Sequence, residues 1–189
     1  KKEIERKYAI KYLPEDIKIE KIQKIEQVFI YRDENTHIRI RKIENKQETK
    51  YVYTVKTKGD IEYDNSYQIG QKYESNITKE MYEQLLPRKI SNKITKTRIV
   101  VPIHNNLKVE IDMYYDYLQG FLTAEVEFPD EEQANLFSKP DWLGEEIGYK
   151  ELNNRKLAEM TQEQFRSKVS KEFMENNQKI IEKLKEFIK

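Results

Sequence analysis

The chain has no cysteine, five glycines, five prolines and one tryptophan, and no apolar run near the ~18 residues of a membrane-spanning helix. Without cysteine there is no disulfide scaffold, no thiolate metal site and no cysteine nucleophile. Five glycines leave no glycine-rich phosphate loop. Charge bias is also missing, because 35 Lys+Arg against 34 Asp+Glu give a net charge of +1. Nucleic-acid coats and acidic tails carry a sign bias, so nucleic acid is not an expected partner. The opening "KKEIERKY" lacks the apolar centre of a signal peptide, so no membrane is expected and the cytoplasm is the expected location. Monomer and homodimer stay equally open.

What is present is charge, at 37% of 189 residues, with thirteen tyrosines and seven phenylalanines to build the core of one domain spanning 1–189. Residues 3–12 alternate as a strand. "EDIKIEKIQKIEQ" (15–27) reads as a short amphipathic helix through Ile17, Ile22 and Ile25. "QVFIYRD", "HIRIRKIE" and "YVYTVKTK" read as strands, "GDIEYDN" as a loop and "SYQIGQKYES" as another strand. "TKEMYEQLL" is a helix capped by Thr78, and strands follow over 90–103, 107–116 and 121–128. "DEEQANLFSK" reads as a short helix, and 161–189 as a C-terminal helix packed on or beside the strands. Seven or eight antiparallel strands with few helices point to a mainly β (α+β), closed or nearly closed barrel.

Six strands carry charges two residues apart, around Ile, Val or Thr: Glu3/Glu5, Arg39/Arg41, Lys56/Lys58, Lys96/Arg98, Glu110/Asp112 and Glu125/Glu127. Side chains two apart share a strand face. An ordinary sheet with one wet face also looks like this, but a wet face mixes signs. Here three strands are acidic and three basic. The alternative is a barrel with charges lining its bore. Such a bore binds a compact polyanion, because fixed cations act together in a confined, poorly screened space. Grouped carboxylates suit Mg²⁺ or Mn²⁺, hard cations that take oxygen ligands and bridge to phosphate.

The opening "EIERK" resembles the E-x-E-x-K signature of the CYTH superfamily, the triphosphate tunnel metalloenzymes. "RIRK", "TVKTK", "KTR", "EID" and "AEVEF" follow in the family's order, so the resemblance covers about residues 3–158. It implies a closed eight-stranded antiparallel tunnel, helices outside, binding a triphosphate small molecule with divalent metal. Family members hydrolyse tripolyphosphate, nucleoside triphosphates or thiamine triphosphate, or cyclise ATP. Two stretches depart from the pattern. The family's R-x-E-x-E strand is replaced by Gly70, Lys72 and Glu74, with Lys72 either a surface residue or an extra phosphate contact. In "YKELNNRKLA", Glu151 and Leu152 replace an Arg and a Tyr, leaving Lys150 to supply the cation.

By this resemblance Glu3, Glu5, Glu125 and Glu127 hold metal, with Asp112 and Glu110 at a second metal or orienting water and basic side chains. Lys7, Arg39, Arg41, Lys56, Lys58, Lys96, Arg98 and Lys150 grip phosphate oxygens, arginines by forks and lysines as point charges. Lys7, Arg39, Arg98, Glu110 and Asp112 form the expected catalytic set. His37 and His104 sit beside turns without a Ser or Asp partner and read as structural. The leading expectation is a metal-dependent triphosphatase, with tripolyphosphate as first substrate. A class IV-type adenylate cyclase and a non-catalytic polyphosphate or nucleotide sensor are the alternatives. Removing Arg39 or Arg98 is expected to impair turnover while raising stability, by relieving repulsion in the empty bore.

Overall fold

Runs of Ile, Val, Tyr and Thr at a two-residue period favour extended backbone. In the computed structural model, which describes residues 2–58 and 68–189 (side chains of Gln68, Ile69, Tyr149 and Lys150 excepted), they form nine strands. These are β1 (Lys2–Ile10), β2 (Lys21–Arg32), β3 (Thr36–Glu44), β4 (Thr49–Lys58), β5 (Gln68–Ile77), β6 (Ile94–Pro102), β7 (Lys108–Tyr114), β8 (Leu122–Phe128) and β9 (Leu143–Glu146). The order is β5-β4-β3-β2-β6-β7-β8-β1-β9, and β1 also pairs with β5. That pairing, Lys2–Glu5 against 68–71, closes an eight-stranded antiparallel barrel. β9 extends the far end of β1, where Tyr8 faces Glu146 and Ile10 faces Leu143.

The stretch 15–27 is not a helix. Its second half is the start of β2, and Ile17, Ile19 and Ile22 pack on the core outside the barrel. Ile17, Ile22 and Ile25 do fit a helical spacing. The β-branched isoleucines between Lys and Glu nevertheless favour strand, and the pairing of 21–27 with β6 decides it. The loop reading of 59–65 lies outside the described residues.

Short helices cover the barrel: α1 (Lys79–Leu85), α2 (Glu131–Leu136), α3 (Tyr149–Leu152), α4 (Asn154–Leu157), α5 (Gln162–Ser167) and α6 (Lys171–Ile188). Thr78 caps α1 by accepting from the Met81 amide at 3.1 Å. The C-terminal periodicity is realised as α5 and α6, broken before Ser170, which accepts from the Phe173 amide at 3.1 Å and starts α6. Ile180, Ile181 and Leu184 of α6 pack against Ile99, Val101, Val109, Ile111 and Val126, the outward residues of β6 to β8. Tyr82 of α1 covers Val28 and Ile40 in the same way. The apolar core therefore lies between barrel and helices, which frees the bore for polar side chains. Among the described residues no helix is long and apolar enough to cross a membrane.

Candidate functional site

Residues directly opposite in an antiparallel ladder share a face. Lys7 opposes Glu125, Glu125 opposes Glu110, Arg98 opposes Asp112, Arg39 opposes Thr54 and Lys56 opposes Lys72. These positions are out of phase with the outward core residues, so they face the bore. Its wall on β1, β8 and β7 is mainly acidic, and its wall on β6, β3 and β4 mainly basic.

On the acidic wall Glu3, Glu5 and Glu127 each bring a carboxylate oxygen within 4.8 Å of the others. Glu3 is held by two lysines, with Lys56 Nζ 2.8 Å from Oε1 and Lys72 Nζ 2.8 Å from Oε2. Burial would raise the Glu3 carboxyl, but these two cations hold it well below the usual carboxylate range. Glu5 has no such pair. Burial, with Glu125 and Glu3 adding repulsion, pushes its carboxyl up. Three clustered carboxylates, one of them short of compensating charge, are hard-oxygen donors in need of a cation, and they fit a divalent metal.

Across the β6–β7 ladder Asp112 joins two cations. Arg98 Nε donates to Oδ1 at 2.8 Å, while Arg98 Nη2 and Lys96 Nζ both donate to Oδ2 at 2.9 Å. Arg98 Nη1 also donates to Glu110 at 3.1 Å. Burial pushes Lys96 down to about 7 against the pull of Asp112. Asp112 is itself held low by Arg98 and Lys96 despite its burial. Both Asp112 oxygens are thus committed to cations, and Asp112 stands apart from the three clustered glutamates. Arg98 is equally committed, so its loss does not simply relieve repulsion. The expectation that removing it raises stability is corrected by this geometry.

On β3, Arg41 donates to Glu74 at 2.6 Å, and Thr54 donates to the same oxygen at 2.9 Å. Arg39, 7% exposed, has no hydrogen bond or ion pair among the described residues. Lys7 is buried on β1 and donates to the Leu152 carbonyl at 3.4 Å, which ties it to α3. Beyond Arg39 the inward rows turn apolar, and Phe29, Ile94 and Tyr114 join Leu118, Phe121 and Leu157 in a plug. Tyr114 donates to Asn154 Oδ1 at 2.7 Å and so fixes α4 over that plug.

Fourteen residues were singled out from sequence. Glu3, Glu5, Lys7, Arg39, Arg41, Lys56, Lys96, Arg98, Glu110, Asp112, Glu125 and Glu127 all face one bore. Lys58 is exposed at the end of β4, and the side chain of Lys150 lies outside the described residues.

No family model matches the chain. The inorganic triphosphatase of Nitrosomonas europaea is 28% identical over 157 residues, 82% of this chain and 96% of the relative. The solved structure of the inorganic triphosphatase NE1496 superimposes with a TM-score of 0.56 at 26% identity, over 82% of this chain and 93% of that one. These likenesses support the resemblance to the CYTH family. The putative adenylyl cyclase HpAC1 from Hippeastrum shares the fold, with a TM-score of 0.51 at 15% identity over 70% of this chain and 82% of that one.

Lys72, Glu74 and His37 also line the bore, and of these the sequence offered only Lys72, as one of two alternatives. Lys72 and Glu74 face inward from β5, so Lys72 is not a surface residue. His37 also faces inward, opposite Lys56 and 5.4 Å edge-on from Phe29. Burial and the neighbouring Lys56 and Arg39 push its imidazole down to about 3, so it is neutral. The signal for all three was register: once Arg39 and Lys56 are inward, 37, 72 and 74 follow.

Proposed function

We propose that this chain is a divalent-metal-dependent triphosphatase acting on inorganic tripolyphosphate inside the barrel. The observation that carries the reading is the facing of two charged walls in one closed bore: clustered glutamates on β1 and β8 on one side, and buried Arg39, Arg41 and Lys96 with half-buried Arg98 on the other. The relative named as an inorganic triphosphatase supports it, matching 82% of this chain. A polyanion satisfies the basic wall, and a cation satisfies the acidic one.

In this reading Glu3, Glu5 and Glu127 hold the metal, Mg²⁺ or Mn²⁺, with Glu125 beside them. When bound, the ion neutralises charge on the phosphate oxygens and on the diphosphate leaving group. Arg39, Arg41, Lys7 and Lys56 hold the phosphate chain, and Lys58 attracts it at the bore's end. Asp112 orients Arg98 and Lys96 toward the transferred phosphoryl group, which makes it a positioning residue. Electrostatic preorganisation of this kind acts where charge develops. In this reading Glu110 takes the proton of the attacking water. One of its oxygens accepts from Arg98, the other has no partner among the described residues, and burial raises its carboxyl. Water attacks the terminal phosphorus, the bridging P–O bond breaks, and phosphate and diphosphate leave.

Purified protein with Mg²⁺ or Mn²⁺ should release phosphate from tripolyphosphate faster than from ATP, because the bore reads only the phosphate chain. Cyclic AMP and diphosphate as the main products from ATP, with no release from tripolyphosphate, would refute the reading in favour of a cyclase. Tight binding without turnover would make the protein a sensor.

A further inference from the structure

Gln27 lies midway along β2, opposite Arg41 of β3 and Ile94 of β6, on the inward face of its strand. It is 1% exposed, and both of its amide atoms are buried without a hydrogen-bond partner. The Nε atoms of Arg39 and Arg41 are buried and unpartnered as well. Four buried polar atoms thus lack partners along one short stretch of the β2–β3 wall.

Buried amides are almost always hydrogen-bonded, and one that is not costs the fold the desolvation of both polar atoms. The neighbours on its strand face, Ile25 and Phe29, and its partner Ile94 show that an apolar residue would fit here. The amide is therefore not explained by packing. β2 lies four strands from β1 in either direction round the barrel, so Gln27 faces the bore from the wall opposite the glutamate cluster.

We propose that Gln27 is a substrate-contacting residue. Its Nε2 donates to non-bridging phosphate oxygens on the side of the phosphate chain turned away from Glu3, Glu5 and Glu127. The Nε hydrogens of Arg39 and Arg41 donate beside it. An amide suits this position better than a third guanidinium. It adds no positive charge next to Arg39 and Arg41, and its Oε1 can accept from a guanidinium N–H while Nε2 serves the anion. The inference rests on the triphosphate reading above and adds a neutral contact to a set of cations.

Two variants test it. Gln27→Met keeps the volume and removes both polar atoms. Gln27→Glu keeps the shape and sets a carboxylate against Arg39 and Arg41. Melting is followed in EDTA with and without inorganic tripolyphosphate, and KM and kcat for tripolyphosphate are measured with Mg²⁺. Gln27→Met should melt above wild type without ligand, show a smaller upshift with tripolyphosphate, and raise KM about 10–100-fold, as expected for a hydrogen bond to a charged group. Gln27→Glu should melt higher still and lose the upshift. A lower melting temperature with unchanged KM would make Gln27 structural, and unchanged KM and upshift would give its place to a buried water; either overturns the proposal. Wild type with neither upshift nor turnover would overturn the triphosphate reading together with this one. Wild-type turnover with unaffected variants would remove this inference alone.

Discussion

Arg39 and Arg98 face the same bore with the same charge, yet their removal should move stability in opposite directions. Arg98 gives three hydrogen bonds to Asp112 and Glu110 at 2.8–3.1 Å, and Asp112 is 4% exposed. Arg98→Met therefore takes two hydrogen bonds from buried Asp112 and one from half-buried Glu110. Breaking a buried pair by removing one partner costs about 3–5 kcal/mol, and the lower end applies because Lys96 still holds Asp112. For a domain of this size that is a fall in melting temperature of roughly 6–12 °C. Arg39 has no ion pair to lose among the described residues, so Arg39→Met exchanges an uncompensated buried cation for apolar volume. A gain of about 1 kcal/mol, the low end for such replacements, raises the melting temperature by roughly 2–4 °C. Both variants should nevertheless lose tripolyphosphatase activity, since both guanidinium groups face the bore in which the proposed substrate binds. The assay is a thermal melt in phosphate-free EDTA buffer beside phosphate release with Mg²⁺. An Arg98 variant that melts at or above wild type, or below which the Arg39 variant melts, would refute the pairing argument.

Glu5→Gln should raise the melting temperature in EDTA, because burial and Glu125 already push that carboxyl up, and should weaken Mn²⁺ binding in calorimetry. His37 is pushed down to about 3 in the folded state against about 6.5 unfolded, so below the unfolded value the unfolded chain binds more protons. Its contribution to stability is present above pH 6.5 and is lost as pH falls toward 3; His37→Gln should make that loss shallower in urea unfolding at pH 4.5 relative to pH 7. Gly120 has φ +94°, and an added Cβ would lie 2.8 Å from Met174 Cε, so Gly120→Ala should lower the melting temperature by roughly 2–8 °C, about 1–2 kcal/mol of backbone strain and contact.

The charged strands were legible because a two-residue period is local: "RIR" or "EVE" states its own inward face once one residue is placed. Pairing is not local. That Asp112 spends both oxygens on Arg98 and Lys96 depends on the register of β6 against β7, which no single segment records. Gln27 was missed because the inward row of β2 holds Ile25 and Phe29, so no charge marks the face. Residues 15–27 misled for a related reason: their isoleucines satisfy a helical spacing and a strand spacing, and β6 chooses between them. Lys72 departs from the family pattern, and only its reach to Glu3 shows that the departure still serves the bore.

The closure of the barrel by β1 also constrains how the chain folds. β1 precedes the other barrel strands in the chain, yet it is held by β5, β8 and β9, and Arg6 meets its partner Glu146 only 140 residues later. The hairpins β2–β3, β3–β4 and β6–β7 can form locally as they leave the ribosome, whereas β1 finds β5 about 65 residues on and completes its pairing only when β8 and β9 have been made. Such long-range pairing delays the rate-limiting step. The basic strands β3, β4 and β6 are thus made before Glu125 and Glu127 of β8. A growing chain passes through a stage that is cationic and open.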